Sequence, residues 1–510
     1  MISHETINLQ SARRRRLMLV LLLMLATFVV FSRAIGGGFV SWDDEPLIYA
    51  NPNIVTPTGH SLWNHWAAPH AHLYIPLIYT AWWCIAWLEQ ARSGLPGQLS
   101  PMGFHLANVL VHCVSVGIVF AILRRLIKRD WPAAIGAMVF AVHPLQVEPV
   151  AWATGMKDVL GGMLTLAAVW MYVAAAQRPS RWRWIIATIF FIAALLAKPS
   201  AVVTPLIAGV LDVLLIRRNW RLAIAWLWQW MILSVVWIGI TMHVQPASDV
   251  DAGPLWARPM IAGNALTFYL AKFLLPVNLA IDYGRTPTSV LAGRAIYFIW
   301  LIPAALAIIV WRLRCAELTA AASLFVLALL PVLGLFRFEF QMISTVADRY
   351  AYVALLGPAL AFAYLTSIPI APLARKTLAI AIGALLLLWA AMSWTQIAVW
   401  HDSESLYRHA LEANPHSLTA TEDLAVAYDK SGKTDDAISL YLRVIALSPE
   451  WPEAYDNLAE VLPRAEREMP QEAPRWASLH QMLSRYYSSQ GRQEDARKQS
   501  DDAARLDRGN

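Results

Sequence analysis

An all-α membrane protein with a soluble helical tail is the fold class this sequence predicts, and three observations carry it. The 510 residues are 58% hydrophobic and 15% charged, with 24 tryptophans, and the mean hydropathy is +0.46. That is far too apolar for a soluble protein of this size. Long apolar runs alternate with short basic clusters as far as residue 400. Beyond that point the composition turns polar and a 34-residue periodicity begins, so the chain reads as two domains, 1–400 and 401–510.

The apolar part is read through its charges. Residues 401–510 hold 13 Lys/Arg and 20 Asp/Glu, a net of −7, so the overall +6 conceals a basic excess in the first 400 residues. That excess sits in "RRRR" (13–16), "RRLIKR" (124–129), "RPSRWR" (178–183), "RRNWR" (217–221), "RLR" (312–314) and "ARK" (374–376). Clusters this short, wedged between apolar runs, are a topology signal rather than a nucleic-acid surface, and they place all six clusters, and with the first of them the N-terminus, in the cytoplasm. The runs between them predict eleven spans, at 17–35, 104–126, 131–150, 158–177, 183–198, 200–216, 221–242, 294–311, 318–336, 350–368 and 377–397. An odd number puts the tail outside. The first run starts like a signal peptide, but no small-residue cleavage site follows and it is read as retained.

Two aromatic-rich stretches, 73–88 and 260–276, would put the next basic cluster on the wrong side if they crossed. They are expected as helices at the outer interface, leaving a count of 11 to 13. Three scattered cysteines (Cys84, Cys113, Cys315) suit neither a disulfide framework nor a zinc site.

With this topology the acids, the histidines and the lone lysines gather on the outer face. "FVSWDDEPLIYANPNI" (39–54) is the most demanding case, because Asp43, Asp44 and Glu45 follow an apolar span directly and charges so placed are costly without a role. The same face receives "HPLQVEPVAWATGMKD" (143–158), "AKPS" (197–200), "IDYGR" (281–285) and "TVADRY" (345–350).

In the tail, Leu424, Tyr428, Gly432, Ala437, Tyr441 and Pro449 fall at the spacing of a tetratricopeptide repeat. The small residues Ala425 and Ala437 let two helices approach, and Gly432 makes the turn. Tyr407, Ala410 and Pro415 repeat the pattern before this unit, and Leu458 with Ala459 after it. A further unit carries Leu483, Tyr487, Gly491 and Ala496 beyond a 25-residue excess containing "PRAEREMPQEAP". About three repeats suffice for a stable stack, which commonly binds peptide segments.

The ordered set "FVSWDDEPLIYANPNI", "GFHLANVLVH", "FAVHPLQVEPVAWATGMKD", "LAKPSAVVTPL", "YLAKFLLPVNLAIDYGR" and "VADRYAYVALLGP", followed by a repeat tail, resembles the transmembrane and tetratricopeptide-repeat O-mannosyltransferases and their bacterial relatives, of the GT-C superfamily. The resemblance implies a GT-C-like helical bundle. It further implies a membrane glycosyltransferase that moves a sugar, mannose among the candidates, from a polyprenyl-phosphate carrier to an acceptor hydroxyl on protein or glycan. By resemblance Asp43 and Asp44 occupy the place of the catalytic acidic motif in the first external loop. Compact loops and the "RRRR" start suit a bacterial inner membrane with a periplasmic active face and repeat domain.

The chemistry asks for the same residue types. Transfer from a lipid phosphate to a hydroxyl needs an ionised carboxylate as base and cations to stabilise the departing phosphate. Asp43 and Asp44 are the candidates for the base, Asp44 the favoured one. The other would hold the acceptor or a divalent cation, with no cofactor otherwise implied. Glu45, beside Pro46, either contacts substrate or caps a helix. His143 and Glu148 either position substrate or satisfy a frayed helix end. Lys157 and Asp158 either contact substrate or pair with each other. Lys198 and Arg285 are candidate phosphate partners, Arg349 either binds the carrier phosphate or pairs in the neighbourhood of Asp348, and His70, His72 and His105 read as interfacial or structural.

Two other functions compete. An O-antigen-ligase-like oligosaccharide transferase would place its key residues in a large late loop, and here 243–293 offers little beyond Asp282 and Arg285. A membrane-anchored repeat scaffold for envelope assembly needs a single span, not acids gathered on one face of eleven.

Overall fold

The computed structural model describes residues 2–245 and 251–508, so residues 246–250 of the late stretch 243–293 lie outside it. Among the described residues there is an isolated bridge between His70 and Leu73 but no strand. The chain forms two compact units, Met1–Asp402 and Ser403–Asn510.

Among the described residues of the first unit, seven helices are long and apolar enough to cross a bilayer: Ser11–Gly36, Pro101–Ile127, Ala153–Gln177, Pro199–Ile216, Trp220–Val244, Ile296–Leu313 and Pro372–Trp400. Asp130–Val142 and Pro144–Ala151, bent by 56°, make an eighth if taken as one broken span. The expected count of 11 to 13 is therefore corrected to seven or eight by length and composition. The remaining expected spans are helical but short. Arg181–Ala197 has 17 residues, Leu356–Ser367 has 12, and Ala316–Val332 loses its regular helix at Leu329, ahead of Pro331. An apolar run measures hydrophobicity, whereas a crossing also requires unbroken helical hydrogen bonding, which proline and the 3-10 turn Asp348–Ala351 interrupt. Irregular backbone of this kind is tolerated at membrane depth where protein covers it, and Asp348, Arg349 and Ala351 are buried. The aromatic stretches form Pro76–Ser93 and Arg258–Leu274, neither of which meets the spanning criteria.

The core lies around Ala153–Gln177, of whose apolar window 78% is buried, against 6% for Ile296–Leu313. Its glycines and alanines let helix backbones approach closely. A Cβ on Gly162 would stand 2.4 Å from the Tyr352 ring, so at this position glycine is required by the packing.

The second unit is six helices, Ser403–Ala413, Leu418–Lys430, Thr434–Leu447, Pro452–Glu468, Ala473–Ser489 and Gln493–Arg508, each packed on the next. Gly432, at φ +77°, makes the turn between the second and third, and Leu424, Ala425, Tyr428, Ala437 and Tyr441 are buried between them. The 25-residue excess ends Pro452–Glu468 and forms the short 3-10 turn Pro470–Glu472.

Candidate active site

The loop after the first span is pinned through Asp44. Its carboxylate is fully buried and accepts the backbone N–H of Val40 at 3.0 Å and of Thr154 at 2.9 Å, tying the loop to the 3-10 turn Ala153–Gly155. Burial pushes its pKa up to about 7 against the pull of those two N–H groups. Asp43 has a different environment. Its side chain is 35% exposed and accepts Lys157 Nζ at 2.7 Å. Glu45 opens the helical turn Glu45–Tyr49 and accepts the Tyr49 hydroxyl at 3.1 Å.

Tight local folding brings the next residues to this loop. A Cβ on Gly155 would fall 2.1 Å from the Pro149 carbonyl oxygen, so glycine allows Val147–Ala151 to double back before the long helix begins. Lys157 and Asp158 then stand on the first turn of that helix and take separate partners. Lys157 reaches Asp43, while buried Asp158 pairs with Lys198 across from it. A Cβ on Gly161 would lie 2.8 Å from Lys198 Cβ, and its absence lets the two helix ends meet. A third pair is buried beside these. Arg349 Nη1 contacts Glu148 Oε1 at 2.5 Å and its backbone N–H donates to Glu148 Oε2 at 3.0 Å.

Two aromatic rings join the three cations. Lys157 and Arg349 lie 5.3 and 5.6 Å from the Trp152 centroid, and Lys198 and Arg349 lie 5.8 and 5.1 Å from that of Tyr350. Three cations are thus held against three carboxylates in one patch, with a cavity of ≈ 30 Å³ between Asp158, Lys198, Arg349 and Tyr350. Buried ion pairs contribute little net stability compared with apolar packing; Asp158–Lys198 and Glu148–Arg349 are of that kind, whereas Asp43 in the third pair is partly open.

Other sequence candidates are placed elsewhere. His143 is buried at the helix break, where Nε2 donates to the Phe273 carbonyl at 3.0 Å and Nδ1 accepts from Leu145 N at 3.2 Å. Both ring nitrogens of His143 thus serve the backbone. Arg285 hydrogen-bonds Asn264 and lies over Phe268. Asp348, next to Arg349 in sequence, accepts the Tyr283 hydroxyl at 2.8 Å instead of an arginine, and burial pushes its carboxyl well above the usual range. For a divalent cation the aspartates fit poorly. Asp44 has both oxygens on backbone N–H groups, Asp43 is on Lys157, and among the described residues no three His, Cys, Asp or Glu side chains converge. Sequence reasoning passed over Trp152, Tyr350 and Thr154. Each lies inside a quoted motif, but nothing in residue type alone marks a ring as a bridge between cations or a backbone N–H as an anchor.

A family model described as dolichyl-phosphate-mannose-protein mannosyltransferase matches residues 83–244, which contain Glu148, Lys157, Asp158 and Lys198. Protein O-mannosyl-transferase Tmtc1 of Drosophila melanogaster is 32% identical over 191 residues, 37% of this chain and 22% of its own length. Protein O-mannosyl-transferase TMTC4 of Homo sapiens is 24% identical over 490 residues, 81% of this chain and 64% of its own. This chain is similar to the protein O-mannosyl-transferases. The Caenorhabditis elegans protein O-mannosyl-transferase F38B6.6 agrees, at 23% identity over 83% of this chain and 62% of its own length. In each case the chain spans less than two-thirds of the relative, between 22% and 64% of it.

Proposed function

We propose that the first unit is a GT-C-type glycosyltransferase that moves a sugar, mannose by kinship with the O-mannosyl-transferases, from a polyprenyl-phosphate carrier to a protein hydroxyl. The observation that carries this reading is the gathering of Asp43, Lys157, Lys198 and Arg349 at one end of the helix bundle. It supplies one partly open carboxylate together with three cations.

Asp43 is the base in this mechanism. A buried Asp44 cannot reach an acceptor without breaking the loop, so burial reverses the preference for Asp44, which serves as the anchor that positions its neighbour. Asp43 takes the proton of the acceptor hydroxyl as the acceptor oxygen bonds to the anomeric carbon. The bond from that carbon to the phosphate oxygen breaks, and its electrons leave with the phosphate. Lys198 and Arg349 stabilise the charge left there, the phosphate replacing Asp158 and Glu148 as their counter-ion. Lys157, 2.7 Å from Asp43, holds that carboxylate in position beside the cations. The active patch faces the periplasm of a bacterial inner membrane, where the tail, read as a tetratricopeptide-repeat domain, engages the protein acceptor.

The test is sugar transfer from a polyprenyl-phosphate donor by the reconstituted full chain. Asp43→Asn is expected to lower the rate by about 10²–10⁴-fold, the usual loss when a general base is removed. An unchanged rate would exclude this mechanism.

A further inference from the structure

At the other end of the same helices the basic clusters collect around a cavity. Arg15, Arg124, Lys128, Arg129 and Arg375 line ≈ 600 Å³ of space, and Asp130 is the one carboxylate among its described walls. That carboxylate is buried and already shared, with Arg15 at 2.6 Å, Arg16 at 3.2 Å and Arg124 in contact. One negative charge cannot neutralise three guanidinium groups. Arg129 donates to the Ser367 carbonyl at 2.7 Å, while Lys128 and Arg375 form no ion pair among the described residues. Arg375 also stands at the start of Pro372–Ile397, the positive end of that helix dipole, where a cation is disfavoured and an anion favoured. Loop topology explains a basic side of the membrane, but not five cations around one hollow.

We propose that this cavity binds the phosphate-bearing headgroup of an anionic membrane lipid. Depth and size both point to a lipid. The 27 residues of Pro101–Ile127 separate the cavity from the Asp43 end by about 40 Å at 1.5 Å per residue, close to a bilayer with its headgroups. Trp131, 62% exposed beside the cavity, is the residue type that settles at that depth. A volume about twenty times that of one water in the liquid admits a phosphodiester with its headgroup and not merely an ion. Arginine forks match phosphate oxygens in pairs. The site is independent of the transfer reaction and sits in the opposite leaflet.

The experiment uses the full chain in neutral detergent and measures retained lipid by native mass spectrometry and thermal stabilisation on titration. Phosphatidylglycerol, phosphatidylcholine and inorganic phosphate are the probes. Lys128→Gln with Arg375→Gln leaves the Asp130 cluster intact, and Arg312→Gln with Arg314→Gln is the control for charge elsewhere. Phosphatidylglycerol is expected to bind the parent chain, about tenfold or more weaker to the cavity variant, and unchanged to the control, since juxtamembrane cations each add to headgroup attraction. Equal losses in both variants, equal binding of phosphatidylcholine, or equal stabilisation by inorganic phosphate alone would overturn the proposal.

Discussion

In the loop after the first span, Asp44 accepts two backbone N–H groups while Asp43 keeps a third of its side chain open beside Lys157. Replacement by asparagine should therefore separate them. At Asp43 it removes charge from a group with room to adjust, so the rate falls and stability holds. At Asp44 it turns an NH₂ toward one of the two backbone donors, leaving a buried N–H unpaired at about 1–3 kcal/mol. Thermal unfolding in detergent should show a lowered midpoint for Asp44→Asn alone, and equal midpoints would show that Asp44 does not anchor the loop. The pH dependence follows from the same burial. The folded value of about 7 lies above the ordinary 3.8, so between these values the folded chain holds a proton that the unfolded chain has lost. Stability from this group is full below pH 4 and declines as pH rises toward 7, by at most about 1.4 kcal/mol per pH unit. Unfolding midpoints at pH 5 and 8 should differ less in Asp44→Asn than in the parent. The acidic triplet was conspicuous in the sequence, but the division of labour within it was not, because burial depends on what packs over the loop.

Helix ends meet where glycine permits, and this is the scale at which the ion pairs are set. Gly161→Ala would thrust a methyl against Lys198, at 2.8 Å from its Cβ. Overpacking of this kind typically costs about 1–3 kcal/mol, and moving Lys198 off Asp158 should raise the donor KM. Gly239 lies in Trp220–Val244 with nothing within 4 Å of a Cβ, so Gly239→Ala should leave both stability and KM unchanged. Loss of function in both variants would mean that helix glycines matter for flexibility and not for close approach. The helices themselves were legible from apolar runs bounded by arginines. Their breaks at Pro144 and Pro331 were legible as prolines, yet the runs were counted as whole spans because hydropathy averages across a break.

For the whole molecule the open quantity is parity. With the proposed cytoplasmic N-terminus, seven crossings would put the tail outside, the bent pair alone would return it inside, and crossings by the three shorter helices would again place it outside. We expect a reporter fused after Asn510 to be active in the periplasm and silent in the cytoplasm. Cytoplasmic activity would move the repeat unit away from the acceptor side and remove its proposed role in transfer.

Composition and local pattern were enough to determine an all-α membrane protein, its polar tail, the turn at Gly432 and a short list of candidate charged residues. These depend on hydrophobicity, helical period and backbone freedom, all of which act over a few neighbouring residues. The partners of those charges were decided by tertiary structure. Lys157 chose Asp43 over the adjacent Asp158, and Arg349 chose Glu148, 201 positions away, over the adjacent Asp348. Adjacent side chains on a helix or turn point in different directions, so in a buried setting a charge is paired by whichever element is packed opposite it, and no local rule records which element that is.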